Sequence, residues 1–134
     1  MVEAFLGKWE LVNTENFEAY MVKLGVNVVL RNLAKIAKPT TTISKEGDVI
    51  TVATDSTIKS TKIHFKIGEE FEETTADQRK TKTTVTMDKG KMVQTQQWDG
   101  KETTLVRELK DDDLILTCTM GDVVCTRTYR KANS

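Results

Sequence analysis

The segment LILTCTMGDVVCTRTY, residues 114–129, contains the clearest strand pattern of the chain. Apolar and polar side chains alternate on both sides of Gly121-Asp122, a pattern that predicts two β-strands joined by a tight turn. A two-residue turn fixes the register, and it sets Cys118 opposite Cys125 and Leu116 opposite Arg127. This hairpin also sets the register of the strands that pair with it.

One face of the hairpin is more apolar than the other, so we expect that face to point inward. Its residues are Leu114, Leu116, Cys118, Met120, Val123, Cys125, Arg127 and Tyr129. Side chains on a strand alternate between the two faces of the sheet. Arg127 and Tyr129 are on the same face as these apolar residues, so we expect their side chains to point into the interior as well.

The preceding hairpin places a second arginine on the same interior. With Asp111-Asp112 as its turn, Arg107 lies opposite Leu116, and Leu116 lies opposite Arg127. The two arginines are then two strands apart, about 10 Å between Cα atoms. By the same reasoning across the turn at residues 99–100, the amides of Gln94 and Gln96 face inward.

The remainder of the chain divides into a helical region and a strand region. Residues 14–37 have helical periodicity, and residues from Thr40 onward alternate with a period of two. A first strand, residues 5–12, precedes the helices. Short turns every ~8–12 residues predict an all-β fold. We expect a ten-stranded antiparallel up-and-down β-barrel with a helix-turn-helix lid after the first strand, in a single domain over residues 1–134.

The helical region predicts two short helices. The first has an apolar stripe at helical spacing and ends at Gly25; the second is capped by Asn27 and ends before Pro39. The stripe of the first helix is Phe17, Tyr20, Met21 and Leu24. The predicted apolar side of the second is Val29, Leu30, Leu33, Ile36 and Ala37.

Composition excludes several classes of protein. Twenty basic and twenty acidic residues give no net charge and no electrostatic reason to expect nucleic acid as a partner. No apolar run approaches the ~20 residues of a membrane-spanning helix. The first residues have neither the basic nor the apolar region of a secretory signal, and two cysteines are too few for a disulfide framework. These features predict a cytoplasmic protein.

Two inward arginines need negative charge nearby, because burial of an unpaired guanidinium costs several kcal/mol. Protein carboxylates or a ligand could supply it. The inner faces reconstructed for the last four strands contain no Asp or Glu, which favours a ligand. The chain has 21 Thr but only four Phe, two Tyr and two Trp, and a ten-stranded barrel is wider than side chains can readily fill. The sequence therefore predicts a cavity for an amphipathic acid.

The chain resembles the cytosolic fatty-acid-binding proteins of the intracellular lipid-binding protein family, in the heart, adipocyte, epidermal and myelin branch. The resemblance covers essentially the whole chain. It rests on GKWEL at residues 7–11, NFEAYM at 16–21, LGV at 24–26, AKPT at 37–40, GEEFEETTAD at 68–77, WDGKETT at 98–104 and CTRTY at 125–129. The opening Gly-x-Trp is shared with secreted lipocalins, whereas its combination with the helix pair and a final Arg-x-Tyr is specific.

The resemblance implies a carrier that binds one long-chain fatty acid in the barrel and delivers it to membranes or proteins. Its ligand-carboxylate site maps onto Arg107, Arg127 and Tyr129, the residues that the register selects. The implied cavity and portal residues are Phe17, Tyr20, Met21, Thr54, Ile58, Asp77, Arg79, Gln96 and Leu116. Ile58 replaces a customary portal Phe, and Val28-Val29-Leu30 replaces a smaller segment. Relatives that bind retinoic acid keep the same three carboxylate residues, so a retinoic-acid-binding protein is the alternative.

The second helix carries Arg31, Lys35 and Lys38 along one side. A solvated face is the simpler interpretation. The resemblance raises a second one, in which a basic lid contacts anionic membranes during transfer. The lid residues assigned to this contact are Lys23, Arg31, Lys35 and Lys38. The resemblance also implies a nuclear location in addition to the cytoplasm, through a basic signal on the helix lid. Asn32 replaces a customary basic residue of that signal, which weakens this implication.

The remaining reactive residues predict no chemistry. Cys118 and Cys125 are close enough for a disulfide in principle, but a cytoplasmic chain favours two thiols. His64 is the only histidine and has no partner pattern for a metal ion. A hydrolase or isomerase would need a general base beside the arginines, and none is found. We expect no enzyme activity, no cofactor, no metal ion and a monomer.

Overall fold

A computed structural model of the chain describes residues 2–57 and 59–132. A short 3-10 turn, Glu3–Phe5, precedes the first strand. The two helices are α1 (Phe17–Leu24) and α2 (Val28–Ile36). Ten strands are present in this part of the chain: β1 (Gly7–Glu15), β2 (Thr40–Glu46), β3 (Val49–Asp55), β4 (Ser60–Phe65), β5 (Phe71–Thr74), β6 (Lys80–Asp88), β7 (Lys91–Trp98), β8 (Lys101–Lys110), β9 (Asp113–Met120) and β10 (Val123–Lys131).

The strands form one antiparallel sheet in the order β4-β3-β2-β1-β10-β9-β8-β7-β6-β5. Consecutive strands are neighbours, and β1 pairs with β10, so the sheet curls into a nearly closed barrel. The ladder is interrupted between β4 and β5, where the rings of Phe65 and Phe71 stack with centroids 5.6 Å apart. This stack closes the wall with apolar contact in place of backbone hydrogen bonds. The predicted fold class is confirmed.

The predicted register of the last strands is also confirmed. Leu116 pairs with Arg127 on one side and with Arg107 on the other, and Cys118 pairs with Cys125. In the next ladder Gln96 pairs with Thr103 and Gln94 with Leu105. Two-residue turns at 99–100, 111–112 and 121–122 set these pairings, as the turn chemistry requires.

Two strand predictions need correction. The first strand is Gly7–Glu15 and not residues 5–12. Phe5 belongs to the 3-10 turn, where its backbone N–H donates to the carbonyl of Val2. Thr14 and Glu15, predicted to begin the helical region, pair with β10 instead. The sequence analysis identified no strand where β5 lies. This strand has only four residues, and glutamates occupy two of them, so its alternation is too short to recognise.

The caps of the helix pair are as predicted. Gly25 ends α1 with φ +89°, a conformation that favours glycine. The Asn27 side chain caps α2 by accepting from the backbone N–H of Leu30 at 3.0 Å. Together they produce the tight turn between the two helices.

The predicted apolar side of α2 is wrong in part. Leu30, Leu33 and Ala37 face the barrel opening, but Val29 is 65% exposed and Ile36 is 73% exposed. None of the nine residues of α2, all of them described, is buried. Apolar residues occur around most of this helix, so periodicity alone did not define which side faces inward.

The core lies at the end of the barrel away from the helices. Phe5, Ile43, Ile50, Val85 and Met92 are almost completely buried and fill the space between opposite walls. Within the described residues, no helix is long and apolar enough to cross a membrane. The helix-covered half of the barrel holds a cavity instead of packed side chains.

Candidate functional site

An internal cavity of about 330 Å³ lies between the helix pair and the barrel interior. Its size is within the range of small-molecule sites. All predicted ligand-carboxylate, cavity and portal residues that the structure describes line this one cavity, whereas the four predicted lid cations do not. The lining residues among them are Arg107, Arg127 and Tyr129, together with Phe17, Tyr20, Met21, Thr54, Asp77, Arg79, Gln96 and Leu116. Ile58, also predicted for the portal, lies outside the described residues.

Arg107 is a buried cation in the wall of the cavity. It comes from β8, is 8% exposed, and its Nη1 donates to Gln94 Oε1 at 2.9 Å. No carboxylate forms an ion pair with it in residues 2–57 and 59–132. Burial lowers the pKa of the Arg107 guanidinium, and attraction to Tyr129, Cys118 and Glu73 partly opposes this shift. The guanidinium remains a cation, with most of its donors available to a ligand.

Arg127 and Tyr129 come from β10, which is two strands away from β8, the strand of Arg107. Both are buried. The guanidinium carbon of Arg127 lies 3.9 Å from the centroid of the Phe17 ring, and its Nη1 donates weakly to Thr14 Oγ1 at 3.3 Å. Phe17 belongs to α1, so a cation–π contact connects this arginine to the lid.

The sequence analysis missed one charged residue of the cavity, Glu73 on β5. Its Oε1 accepts hydrogen bonds from Thr83 Oγ1 (2.9 Å), Gln94 Nε2 (3.1 Å) and Gln96 Nε2 (3.0 Å). The reconstructed inner faces covered only the last four strands, and β5 was not recognised as a strand. The inward direction of Glu73 follows from the pairing of β5 with β6, in which it lies opposite Thr81, and not from a pattern in the sequence.

The loop between β5 and β6 is held by an ion pair at the rim of the cavity. Arg79 Nε donates to Asp77 Oδ2 at 2.7 Å, and the guanidinium lies 4.4 Å from the ring centroid of Trp98. Burial raises the pKa of the Asp77 carboxyl, but hydrogen bonds from Arg79 and Thr75 outweigh it, so the net shift is downward. The loop is therefore fixed to the wall by charge and by an aromatic contact.

Tyr20 connects the first helix to the opposite wall. Its hydroxyl and Thr103 Oγ1 are 2.7 Å apart, and Thr103 Oγ1 donates to the carbonyl of Thr119 at 2.7 Å. Burial raises the pKa of Tyr20, so the phenol stays protonated. This chain of hydrogen bonds anchors α1 over the cavity.

Cys118 and Cys125 are buried free thiols on paired strands. A hydrogen bond to Cys125, together with burial, raises the pKa of the Cys118 thiol. The same hydrogen bond lowers the pKa of Cys125. His64 Nδ1 lies 2.8 Å from Thr51 Oγ1 on the exposed side of the sheet. Across the described residues, no group of three or more His, Cys, Asp or Glu is placed to hold a metal ion.

The four basic lid residues are not equally available. Lys35 Nζ lies 2.8 Å from Glu18 Oε1, and Arg31 Nε lies 3.7 Å from Glu18 Oε2. Lys23 lies 3.8 Å from Asp122, whereas Lys38 is exposed and makes no ion pair with the described part of the chain. Glu18 thus neutralises part of the basic side that the sequence suggested.

The fold and this cavity define a class: β-barrel proteins with an internal cavity whose wall carries buried cations. The chain belongs to the lipocalin / cytosolic fatty-acid binding protein family, whose model matches residues 6–132. Membership of this family of lipid-binding carriers makes the chain a binding protein and not an enzyme.

Relatives match over nearly the whole chain. Human fatty acid-binding protein 9 is 53% identical over 131 residues, which are 98% of this chain and 99% of the relative. A Schistosoma mansoni fatty acid binding protein, solved in complex with arachidonic acid, is 40% identical with a TM-score of 0.94, covering 98% of each chain. A fatty acid-binding protein from Drosophila melanogaster brain tissue is 46% identical with a TM-score of 0.88, covering 96% of this chain and 99% of that one.

Proposed function

We propose that this chain is an intracellular carrier that reversibly binds one long-chain fatty acid. The observation that supports this most directly is the pair of buried arginines, Arg107 and Arg127, lining the same largely apolar cavity as Tyr129. Two guanidinium groups and a phenol provide the donors that a carboxylate needs. The names of the relatives, which are fatty acid-binding proteins, support the same ligand class.

The energetics divide the ligand into two parts. Each methylene buried in the cavity contributes about 0.8 kcal/mol, so a long acyl chain supplies most of the affinity. Each charge-assisted hydrogen bond to the carboxylate adds about 1.5–3 kcal/mol, and these bonds set the orientation. A reversible carrier needs both parts, because the acyl chain supplies affinity and the carboxylate sets the orientation of the ligand in the cavity.

The carboxylate site is tested by Arg127→Ala, with oleate and oleyl alcohol titrated separately by calorimetry. We expect oleate affinity to fall at least about tenfold and alcohol affinity to change little. Arg130→Ala is the matched control, since Arg130 lies on the same strand with its side chain 67% exposed. Unchanged oleate affinity in Arg127→Ala would show that the carboxylate is bound elsewhere. Native mass spectrometry of the purified protein would identify any lipid that remains bound.

Delivery is the second part of the proposal. The outer side of α2 presents Val29 and Ile36 to solvent, with Lys38 beside them. Apolar residues flanked by cations are typical of a helix that lies on an anionic membrane surface. We therefore infer that α2 contacts anionic membranes transiently, with Lys23, Arg31 and Lys35 as further cations that must first separate from Asp122 and Glu18.

A vesicle transfer assay tests this contact. Changing both Val29 and Ile36 to Ser should slow transfer of a fluorescent fatty acid to vesicles containing anionic lipid. Ile67→Ser is the control, because Ile67 is 38% exposed in the loop between β4 and β5 and not on the helix pair. Equal transfer rates for all three proteins would contradict a role for α2.

Retinoic acid is the alternative ligand. It would use the same arginines, so competition between oleate and retinoic acid decides between them. The relatives do not favour it, since their names refer to fatty acids. The proposed location is the cytoplasm, in line with the cytosolic proteins that the family description names. We expect a monomer, which light scattering would check.

A further inference from the structure

Glu73 occupies a central position in the polar part of the cavity. One of its carboxylate oxygens, Oε1, accepts all three of its hydrogen bonds, two of them from the amide nitrogens of Gln94 and Gln96. The other oxygen, Oε2, accepts none from the described residues, and Glu73 lines the cavity. The carboxylate is therefore a fixed negative charge that faces the space in which a ligand would bind.

The orientation of both amides follows from this carboxylate. Because Glu73 takes their Nε2 donors, their Oε1 acceptors point away from it, and each one meets a guanidinium. Gln94 Oε1 accepts from Arg107 at 2.9 Å, and Gln96 Oε1 accepts from Arg79 at 3.3 Å. Glu73 thus orients the two amides that hold an internal arginine and a rim arginine.

The charge of Glu73 also acts on the arginine site directly. The carboxylate lies two hydrogen bonds from Arg107, through a single Gln94 side chain, and its attraction favours the charged guanidinium. A ligand carboxylate beside Arg107 would lie roughly 10 Å from Glu73, a distance at which like charges repel appreciably in a protein interior. The same group that positions the arginine therefore weakens anion binding to it.

We propose that Glu73 is a specificity-determining residue, which orients Arg107 through Gln94 and lowers the affinity of the cavity for carboxylates relative to neutral lipids. This inference rests on the proposed binding of fatty acids at Arg107. Because Glu73 partly compensates the internal cations before any ligand enters, the carboxylate is bound less tightly and its release is easier.

Glu73→Gln removes the negative charge of this side chain and keeps its size and shape. The amide oxygen of Gln can accept the same three hydrogen bonds, and its nitrogen takes the place of Oε2, which faces the cavity. Glu72→Gln is the matched control: it removes the same charge one residue away, from an exposed side chain on the outer face of β5. Urea unfolding and near-ultraviolet circular dichroism show whether each variant is folded.

The measurement is the ratio of oleate affinity to oleyl alcohol affinity in each protein, from calorimetry at one pH. We expect Glu73→Gln to tighten oleate about five- to tenfold while the alcohol changes less than about twofold, and Glu72→Gln to change neither. The effect should disappear when Arg107 is also changed to Met. An unchanged ratio, or equal tightening of both lipids, would overturn the inference.

Two further outcomes are distinguishable. If the unmodified protein binds oleate no better than the alcohol, the proposed carboxylate site itself is wrong. If oleate is preferred but the ratio does not respond to Glu73, only the role of Glu73 is wrong. Glu73→Ser removes the same charge without adding an amide, so it gives a second value of the ratio if the Gln variant does not fold.

Discussion

Replacing Arg107 by Met should affect stability and ligand binding in opposite directions. Arg107 is 8% exposed and makes one hydrogen bond to a neutral amide, so the ligand-free protein carries a buried cation with incomplete compensation. Exchanging buried charges for apolar groups of similar size is often neutral or stabilising by about 1–4 kcal/mol. Loss of the donor to Gln94 offsets about 1 kcal/mol of that gain.

The net expectation for Arg107→Met is a rise of about 1–2 kcal/mol in the free energy of unfolding of the ligand-free protein. For oleate, loss of one or two charge-assisted hydrogen bonds should weaken binding by about 2–4 kcal/mol, or roughly 30- to 1,000-fold. If Arg107 served mainly to stabilise the fold, its replacement would lower the free energy of unfolding and leave oleate affinity nearly unchanged.

Delipidated protein is required, because bound lipid would add its own stabilisation to the unmodified form. Urea unfolding followed by tryptophan emission gives the free energy, and calorimetry gives the oleate affinity. Arg130→Met, on the exposed side of β10, should change neither by much. Two results together would contradict the proposed role of Arg107. The first is a fall of about 1 kcal/mol or more in the free energy of unfolding of Arg107→Met, the size of a lost hydrogen bond. The second is an unchanged oleate affinity.

Three other substitutions test the loop, the helix cap and the lid. Asp77→Asn should destabilise the protein by about 1–2 kcal/mol at neutral pH, since it breaks the ion pair with Arg79. Because the folded pKa of Asp77 is lowered, its contribution is present above the unfolded pKa near 3.9 and is lost as pH falls through the folded value, so the two unfolding curves should converge in acid. Asn27→Ala should reduce the free energy of unfolding by about 1 kcal/mol through loss of the helix cap, and restoration by Asp or Ser would verify the cause. Tyr20→Phe should cost about 1 kcal/mol in urea unfolding, and a null effect would show that its bond to Thr103 does not hold the lid.

The sequence was most informative where turns are short. Two-residue turns leave one register, so the positions of Arg107 and Arg127 opposite Leu116 could be worked out without coordinates. The apolar side chains around them then decided which face is inward. Both steps depend on local rules, and the cavity follows from them.

The parts that could not be predicted depend on contacts between distant segments. Glu73 faces inward because β5 is held against β6 and because the stack of Phe65 on Phe71 closes the wall. Nothing in its own four-residue strand shows this. The orientation of α2 has the same origin, since a helix without a buried residue is placed by its neighbours and not by its own pattern.

The pairing of β1 with β10 means that β10, which follows the other described strands along the chain, completes the barrel. That strand also supplies Arg127 and Tyr129, two of the three side chains proposed to bind the carboxylate. A variant that lacks residues 123–131 would therefore gain two new unpaired strand edges, on β1 and β9, and would have an incomplete headgroup site. The proposed lipid binding thus depends on one strand for both the enclosure and the headgroup site, and a variant truncated before residue 123 should neither retain a fatty acid nor compete for one.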